Sequence, residues 1–255
     1  MLQTIKYRLL ITALFSLLLA CKPSYNLVTG VYNNHIISSE TVDTDSSFVR
    51  LYLPYKEKLD AEMDVVIGFA QTDLVKNKPE SKMTNFLADL LLEESTLILN
   101  KSGQSIIPDL SFLNYGGIRA GISKGDITVR EIFEVMPFEN ELVVIQLSGA
   151  DVQQFLDLIA SRGGDSLGGI RFKISDNKAI DVVIGGKPLS NDGRYWLATS
   201  DFVADGGDSY SMLQNYQQRI QTEEKIRDVI ILHLKKKHAQ GIIINPVTDG
   251  RIVNE

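Results

Sequence analysis

Two glycine-rich segments carry the side chains best suited to bind a small polar molecule. The first, residues 114–120, reads Asn-Tyr-Gly-Gly-Ile-Arg-Ala and follows a short apolar run at residues 110–113. Its adjacent glycines predict a tight turn in which a ligand can approach main-chain N–H groups closely. Arg119 adds a rigid fork of donors that suits a phosphate, a carboxylate or sugar hydroxyls.

Two phenylalanines lie in polar surroundings where a flat ring is able to stack on a base. Phe138 follows a proline, and Phe202 belongs to the second glycine-rich segment, residues 198–210, which also carries several carboxylates. Each signal also has a simpler interpretation, because a double glycine is usually a plain turn and a lone phenylalanine often belongs to the core. The combination is therefore more informative than any single residue.

The combination resembles the C-terminal, substrate-binding domain of the 5'-nucleotidase family, which includes the UDP-sugar hydrolases. The motif N-x-G-G-I-R occupies residues 114–119, the following P-F-x-N occupies residues 137–140, and D-F-x-A-x-G-G-D occupies residues 201–208. The resemblance covers the chain from about Leu59 to its end. It implies an α/β fold with α/β/β/α layers, in which helices pack outside two central sheets.

The resemblance also implies a role for each matched residue. Phe138 and Phe202 would sandwich the base, which suits them because stacking tolerates any base. Asn114 would hydrogen-bond to the edge of the base, and Gly116 and Gly117 would shape the floor of the site.

Arg119 would reach the ribose or phosphate, and Asp208 would accept hydrogen bonds from the ribose hydroxyls. The chain departs from the family where a further arginine is expected, because residues 76–79 read Lys-Asn-Lys-Pro. A lysine cannot present the same bidentate fork. Either Lys78 or Lys82 therefore substitutes loosely, or that contact is absent.

The first 20 residues are typical of a secretory signal. Two basic residues precede an apolar run at residues 9–19 that is too short to span a bilayer permanently. The run leads through Leu-Leu-Ala to Cys21, the only cysteine, so no intramolecular disulfide is possible. The position of Cys21 resembles a bacterial lipobox, which implies an exported, lipid-anchored protein; Lys22 would permit transfer to an outer membrane facing the periplasm.

Residues 21–48 are rich in Ser, Thr, Asn and Tyr without a sustained period, and we interpret them as a tether. Residues 49–255 would form the substrate-binding domain. His35 lies in the tether without potential partner ligands nearby, so metal binding is not expected there.

Hydrophobic periodicity predicts the elements that position the site. Strands are predicted at residues 65–70, 110–113, 142–147, 170–174, 179–184 and 194–199, the first of them buried on both faces. Helices are predicted at residues 55–63, 84–100, 129–135, 149–159 and 223–238. Residues 49–53 are predicted as an extended lead and residues 161–169 as a flexible loop, while Asn85, Asp89 and Glu93 are expected on a solvated helix face.

Charge and histidine content limit the chemistry of this chain. It has 26 basic and 32 acidic residues, so a nucleic-acid polymer is a poor candidate ligand, whereas one nucleotide needs only an arginine and good stacking. Full 5'-nucleotidases hydrolyse phosphate with an N-terminal two-metal domain that carries D-x-H, G-D-x-x-[DE] and G-N-H-[DE] motifs. This chain has three scattered histidines and none of those motifs. We therefore expect no catalytic residue, metal or other cofactor in it, and divalent metals only in a partner catalytic subunit.

Two functions remain open. The chain could be the nucleotide-recognising part of a split 5'-nucleotidase whose metallophosphatase is a separate polypeptide. Alternatively, it could be a stand-alone lipoprotein that binds nucleosides, nucleotides or UDP-sugars without catalysis.

Overall fold

The computed structural model describes residues 45–255. The predicted signal peptide, the lipidation site at Cys21, His35 and almost all of the tether lie outside these residues. The chain divides into two units, Met1–Leu51 and Tyr52–Glu255, and the fold that carries the candidate site belongs to the second. Within residues 45–255, none of the helices has the length and apolar character needed to cross a bilayer.

Helices and strands alternate along the described part of the chain. The helices are α1 (Ser46–Met63), α2 (Lys82–Lys101), α3 (Val129–Val135), α4 (Gly149–Ser161), the single turn α5 (Asp201–Ala204) and α6 (Ile226–Ala239). The strands are β1 (Val66–Ala70), β2 (Leu110–Leu113), β3 (Gly125–Thr128), β4 (Glu141–Ser148), β5 (Ser166–Gly168), β6 (Ile170–Ser175), β7 (Lys178–Ile184), β8 (Lys187–Pro188), β9 (Arg194–Ser200), β10 (Gln218–Lys225) and β11 (Ile252–Asn254). The mixed α/β class predicted from the sequence is confirmed.

The strands form three sheets. A five-stranded sheet has the order β10-β4-β9-β2-β5, a four-stranded sheet has the order β11-β6-β7-β8, and β1 pairs with β3. In the five-stranded sheet β4 runs antiparallel to β9, whereas β2 runs parallel to β9. As a result, the carboxyl ends of β2 and β9 lie at the same edge, where both glycine-rich segments begin.

The two faces of the five-stranded sheet belong to different hydrophobic clusters. Along β4, Val144 packs with the apolar side of α2, whereas the neighbouring Val143 packs with α4 and the four-stranded sheet. Successive side chains of a strand point to opposite faces, so a strand with both faces covered needs an uninterrupted apolar sequence. The run Leu-Val-Val-Ile in β4 meets this requirement, and all four side chains are fully buried.

Helix α2 begins earlier than the sequence predicts, and in its polar stripe Asp89 and Glu93 are exposed as expected whereas Asn85 is buried. Ser81 caps the helix, and Thr84 stands inside its first turn as the reciprocal partner in a capping box. Asn85 is 2% exposed and donates to Glu80 Oε2 at 2.8 Å, while Asp89 pairs with a C-terminal arginine. The solvated-face prediction is therefore wrong for Asn85, because tertiary hydrogen bonds satisfy its amide.

Four further predictions are wrong in part, each for a local reason. Residues 49–53 are helical within α1 rather than extended, and strand β1 is not fully buried, because Val66 and Phe69 are 39% and 38% exposed. Residues 161–169 contain the buried strand β5, and Gly164 is there because a Cβ would lie 2.3 Å from Pro79 O. The predicted helix at residues 223–238 begins only at Ile226, since the left-handed backbone of Glu223 (φ 60°) interrupts helical geometry.

Candidate functional site

The two glycine-rich segments and the P-F-x-N motif line one cavity of about 380 Å³. Its lining residues are Asn114, Gly116, Gly117, Arg119, Phe138, Asn140, Phe202 and Asp208. All seven ligand-contact residues predicted from the sequence are therefore gathered around a single space. Asn140 is the residue that the prediction omitted, although it is the last residue of the P-F-x-N motif and that signal was available.

The turn after β2 places Asn114 and the glycines. The Gly117 amide donates to Asn114 O at 2.8 Å, which closes the turn directly after the strand. A Cβ at Gly117 would lie 2.7 Å from Asn114 Oδ1, so only glycine fits beside this side chain. Neither Gly116 nor Gly117 has a positive φ. The sequence motif thus reflects space for the backbone and a ligand, rather than the left-handed conformation that a double glycine usually predicts.

Asn114 and Asp208 join the two segments directly. The Asn114 Nδ2 donates to Asp208 Oδ2 at 2.6 Å, and Asn114 is 8% exposed. Asp208 adopts a left-handed backbone with φ 51°, and its carbonyl oxygen accepts from Arg162 Nη2 at 2.9 Å. One carboxylate oxygen is thus engaged by an amide, and the carboxylate retains further lone pairs for hydroxyl donors.

The two phenylalanine rings have different settings. Phe138 is partly buried and packs against the core cluster that contains α2. Phe202 is 45% exposed, which leaves its ring available to stack on a flat ligand. The backbone of Gly207 passes so close that a Cβ there would lie 2.5 Å from the Phe202 ring. Because Gly207 has no side chain, the Phe202 ring can occupy its position beside the Gly207 backbone.

Arg119 is an exposed cation at the edge of the cavity. Its Cζ lies 5.1 Å from the centroid of the Phe138 ring, a favourable cation–π distance. The Arg119 amide donates to Val135 O at 2.9 Å, which fixes the backbone beside α3. Within residues 45–255, Arg119 forms no salt bridge with a carboxylate, so its guanidinium is available to an anionic ligand.

The lysines considered as substitutes for the missing family arginine do not line the cavity. Lys78 Nζ donates to Arg162 O at 2.6 Å, and Lys82 Nζ donates to Thr72 Oγ1 at 3.2 Å. Lys76 instead supports the turn, because its Nζ donates to the carbonyls of Tyr115 and Ile118. Burial, followed by the nearby guanidinium of Arg119, lowers the pKa of the Lys76 ammonium.

A buried carboxylate, Asp165, bonds to Tyr210 at the end of the second glycine-rich segment. Asp165 is 3% exposed, and burial raises the pKa of its carboxyl to about 6 although several hydrogen bonds oppose the shift. The Tyr210 hydroxyl donates to Asp165 Oδ2 at 3.1 Å, and burial, followed by Asp165, raises the pKa of that phenol above its usual range. Sequence reasoning did not single out Asp165 or Tyr210, because both resemble ordinary loop residues.

One group of side chains within residues 45–255 has metal-ligand composition, and it lies away from the cavity. It comprises Glu93, Glu94 and His233, whose candidate ligand atoms lie within 4.8 Å of one another. Glu94 already accepts from His233 Nδ1 at 2.9 Å and from Lys236 at 2.8 Å. Burial opposes ionisation of Glu94, but these hydrogen bonds hold its pKa below the usual range. The group is a satisfied ionic network between α2 and α6.

Comparison with known proteins finds relatives of this chain. A family model described as the C-terminal domain of 5'-nucleotidase matches residues 63–215. The protein UshA of Yersinia enterocolitica is 29% identical over 211 residues, which is 80% of this chain and 37% of that protein. A 5'-nucleotidase of Vibrio cholerae is 27% identical and is matched over 73% of this chain and 34% of its own length.

A solved structure shares the fold. The crystal structure of a 5'-nucleotidase precursor from Thermus thermophilus superposes with a TM-score of 0.66 at 26% identity, covering 84% of this chain and 44% of that one. The chain thus spans between about a third and a half of the length of these relatives. Since the family model covers more than half of the chain, from the end of α1 to the segment before β10, the protein belongs to the family of 5'-nucleotidase C-terminal domains.

Proposed function

We propose that this chain is the nucleoside- or nucleotide-recognising part of a split 5'-nucleotidase, acting with a metallophosphatase subunit on a separate polypeptide. The observation that carries the proposal is the convergence of Phe138, Phe202, Arg119 and Asp208 on one cavity in a chain of this family. The cavity volume lies within the range of roughly 300–1,000 Å³ that small-molecule sites occupy.

Each part of a nucleotide has a matching group in the cavity. The exposed ring of Phe202 and the ring of Phe138 offer apolar faces to a base, and the amides of Asn114 and Asn140 offer donors and acceptors to its edge. Asp208 offers acceptors to a pair of ribose hydroxyls. The guanidinium of Arg119, which forms no salt bridge within residues 45–255, offers a fork of donors to a phosphate.

Hydrolysis would require groups that residues 45–255 do not assemble at the cavity. Two-metal phosphoesterases hold two ions about 4 Å apart with clusters of histidine and aspartate and thereby generate a nucleophilic hydroxide. No lining residue of the cavity is a histidine, and Asp208 is the single carboxylate among them. We therefore assign the divalent metals and the catalytic residues to the partner, and only ligand recognition to this chain.

The N-terminal sequence adds a location to the proposal. The apolar run that ends at Cys21 supports an exported lipoprotein, and Lys22 supports an outer-membrane anchor facing the periplasm. A lipid anchor would keep the recognition domain at the membrane surface, where a separate catalytic subunit could dock. Mass spectrometry of the protein from membranes would test the anchor, because a processed lipoprotein lacks the first 20 residues and carries acyl chains on Cys21.

The function is tested by calorimetric titration of the full chain, purified in detergent, with adenosine, AMP and UDP-glucose in metal-free buffer. Phosphate release is measured in the same samples. We expect binding without phosphate release, and release only when a metallophosphatase subunit, to be sought among the neighbouring genes, and a divalent metal are added. Phosphate release by the chain alone would contradict the assignment of catalysis to a partner.

The alternative is a stand-alone binding lipoprotein, and the same experiment separates the two. A binder would bind the ligands equally well, but no metallophosphatase would gain activity in its presence. A transporter encoded beside the gene would favour this alternative. The absence of binding to all three ligands would contradict both functions for the isolated chain.

A further inference from the structure

Asp165 contacts both of the segments that line the cavity, although it does not line the cavity itself. Its carboxylate accepts from the hydroxyl of Tyr210 at 3.1 Å and from the main-chain amide of Ser166 at 2.8 Å, and the main-chain amide of Tyr115 is close enough to lower the pKa of the carboxyl. Tyr115 directly precedes Gly116, and Tyr210 follows Asp208 by two residues. One buried side chain therefore connects the turn that carries the predicted floor of the site to the loop that carries its predicted ribose acceptor.

The Tyr210 end of this connection is held firmly. The Tyr210 ring packs edge to face against Phe112 and Phe155, with centroids 5.0 and 5.6 Å apart. Arg162 lies over the same ring, with Cζ 4.9 Å from the centroid, and its Nη2 donates to the carbonyl oxygen of Asp208. A movement of Tyr210 would therefore be transmitted to Asp208 through two contacts.

The backbone of residues 205–210, which we call the Asp208 loop, needs such support. Asp208 and Ser209 have φ values of 51° and 68°, a region that non-glycine residues adopt only at a cost. Surrounding contacts must offset this cost, and the hydrogen bond between Tyr210 and Asp165 is one such contact.

We propose that Asp165 is a positioning residue that fixes the Asn114–Gly117 turn and the Asp208 loop relative to each other, and thereby sets the affinity for ligand. The inference rests on the proposed recognition of nucleosides and nucleotides at the cavity. An ionised carboxylate accepts from the Ser166 amide and the Tyr210 hydroxyl at once, with the Tyr115 amide nearby. In an amide or a protonated acid the negative charge is gone, which weakens the bonds from the main-chain amides, and the hydrogen of the new group forces the Tyr210 hydroxyl to turn and accept.

The charges around Asp165 define how pH acts on this connection. Lys76 and Lys78, from the segment after β1, and Tyr210 interact with its carboxylate, and Arg162 at the end of α4 lies over the Tyr210 ring. Because burial places the pKa of Asp165 near 6, the carboxylate loses its charge in mildly acidic solution. We therefore expect the affinity for ligand to fall as the pH is lowered through this range.

The test measures adenosine affinity by calorimetry between pH 5 and pH 8, using the full chain in detergent. Adenosine is chosen because a nucleotide phosphate itself titrates near pH 6 and would confuse the profile. We expect roughly tenfold weaker binding for Asp165→Asn at pH 7.5, as removal of a charge-assisted hydrogen bond produces. The parent should lose affinity toward pH 5, whereas the Asn variant should show a flat profile.

Two further variants make the experiment decisive. Tyr210→Phe removes only the hydroxyl and should weaken binding by roughly three- to tenfold, which tests the connection even if Asp165→Asn folds poorly. Asp157→Asn is the matched control, because Asp157 is a hydrogen-bonded carboxylate of α4 that bonds to Lys178 and lies outside the cavity lining. Its affinity for adenosine should equal that of the parent.

The outcomes separate this inference from the proposed function. A parent that binds adenosine, with folded Asp165→Asn and Tyr210→Phe variants of unchanged affinity and pH profile, would overturn the positioning role alone. A parent that binds neither nucleoside nor nucleotide would overturn the proposed function and this inference with it. Thermal unfolding of each variant, measured in the same buffers, establishes that the comparison is between folded proteins.

Discussion

Replacement of Phe202 by alanine is the most direct test of the candidate site. The ring is 45% exposed, lines the cavity and belongs to the short helix α5. Its removal therefore takes away a stacking surface without emptying the interior of the protein. Stacking of an aromatic side chain on one base contributes about 1–3 kcal/mol, which corresponds to roughly a 5- to 160-fold change in the dissociation constant.

The expected cost to stability is smaller than that of a core substitution. A buried phenylalanine replaced by alanine typically loses about 3–5 kcal/mol, and the Phe202 ring is only partly covered. We expect Phe202→Ala to lower the free energy of unfolding by roughly 1–2 kcal/mol, in proportion to the covered area. Calorimetric titration with AMP and adenosine then reports the loss of stacking, while denaturant unfolding reports the loss of packing.

Two controls sharpen the measurement. Tyr216→Ala removes another partly exposed aromatic ring, 36% exposed, that lies outside the cavity lining, and it should leave nucleotide affinity unchanged. Phe202→Tyr keeps a flat ring and should bind within about threefold of the parent. Equal affinity of the parent and Phe202→Ala, with both proteins folded, would show that Phe202 makes no contact with the ligand and would refute the stacking argument.

Three other substitutions test separate parts of the structure. Arg119→Lys keeps the charge but loses the planar fork of donors. AMP binding should therefore weaken about tenfold, while adenosine binding should stay within about twofold of the parent. Equal losses for both ligands would contradict a contact between Arg119 and the phosphate. Gly117→Ala places a Cβ 2.7 Å from Asn114 Oδ1, which should lower the free energy of unfolding by about 1–3 kcal/mol and the thermal midpoint by several degrees. An unchanged midpoint would contradict this close contact. The Asp165 carboxyl binds its proton more tightly in the folded protein than in the unfolded chain, because its pKa is raised to about 6. The contribution of Asp165 to the free energy of unfolding should therefore increase as the pH falls through about 6, by up to about 3 kcal/mol below pH 4. Parallel curves of stability against pH for the parent and Asp165→Asn would contradict the raised pKa.

The sequence was most informative where local patterns are strong. The apolar run of β2 was predicted at Leu110–Leu113 and α3 at Val129–Val135, and both predictions are confirmed at those residues. Strand β10 was missed because it is an edge strand of the five-stranded sheet whose residues are mostly polar. An edge strand needs little apolar alternation, since its pairing with β4 is through the backbone.

The lining of the site was predicted through its motifs, and its supporting contacts were not. Phe138 and Phe202 are 64 positions apart in sequence. Phe138 precedes β4 and Phe202 follows β9, and the antiparallel pairing of these strands, with Leu142 opposite Ser200, brings both to one edge of the sheet. Asp165 could not be recognised, because its importance depends on contacts with residues about 45 to 50 positions away. Burial and hydrogen bonding of this kind are properties of the assembled fold, and no local sequence pattern reports them.

The contact between Asn114 and Asp208 also bears on how the protein folds. It links residues 94 positions apart, so the chain between them must already be organised before the two side chains meet. The cavity should therefore form late in folding, and partly folded forms should have no affinity for its ligand. A ligand that binds only the native state stabilises that state by mass action. Saturation of the cavity should accordingly slow hydrogen exchange throughout the domain, including amides in sheets remote from the cavity that exchange only by global unfolding.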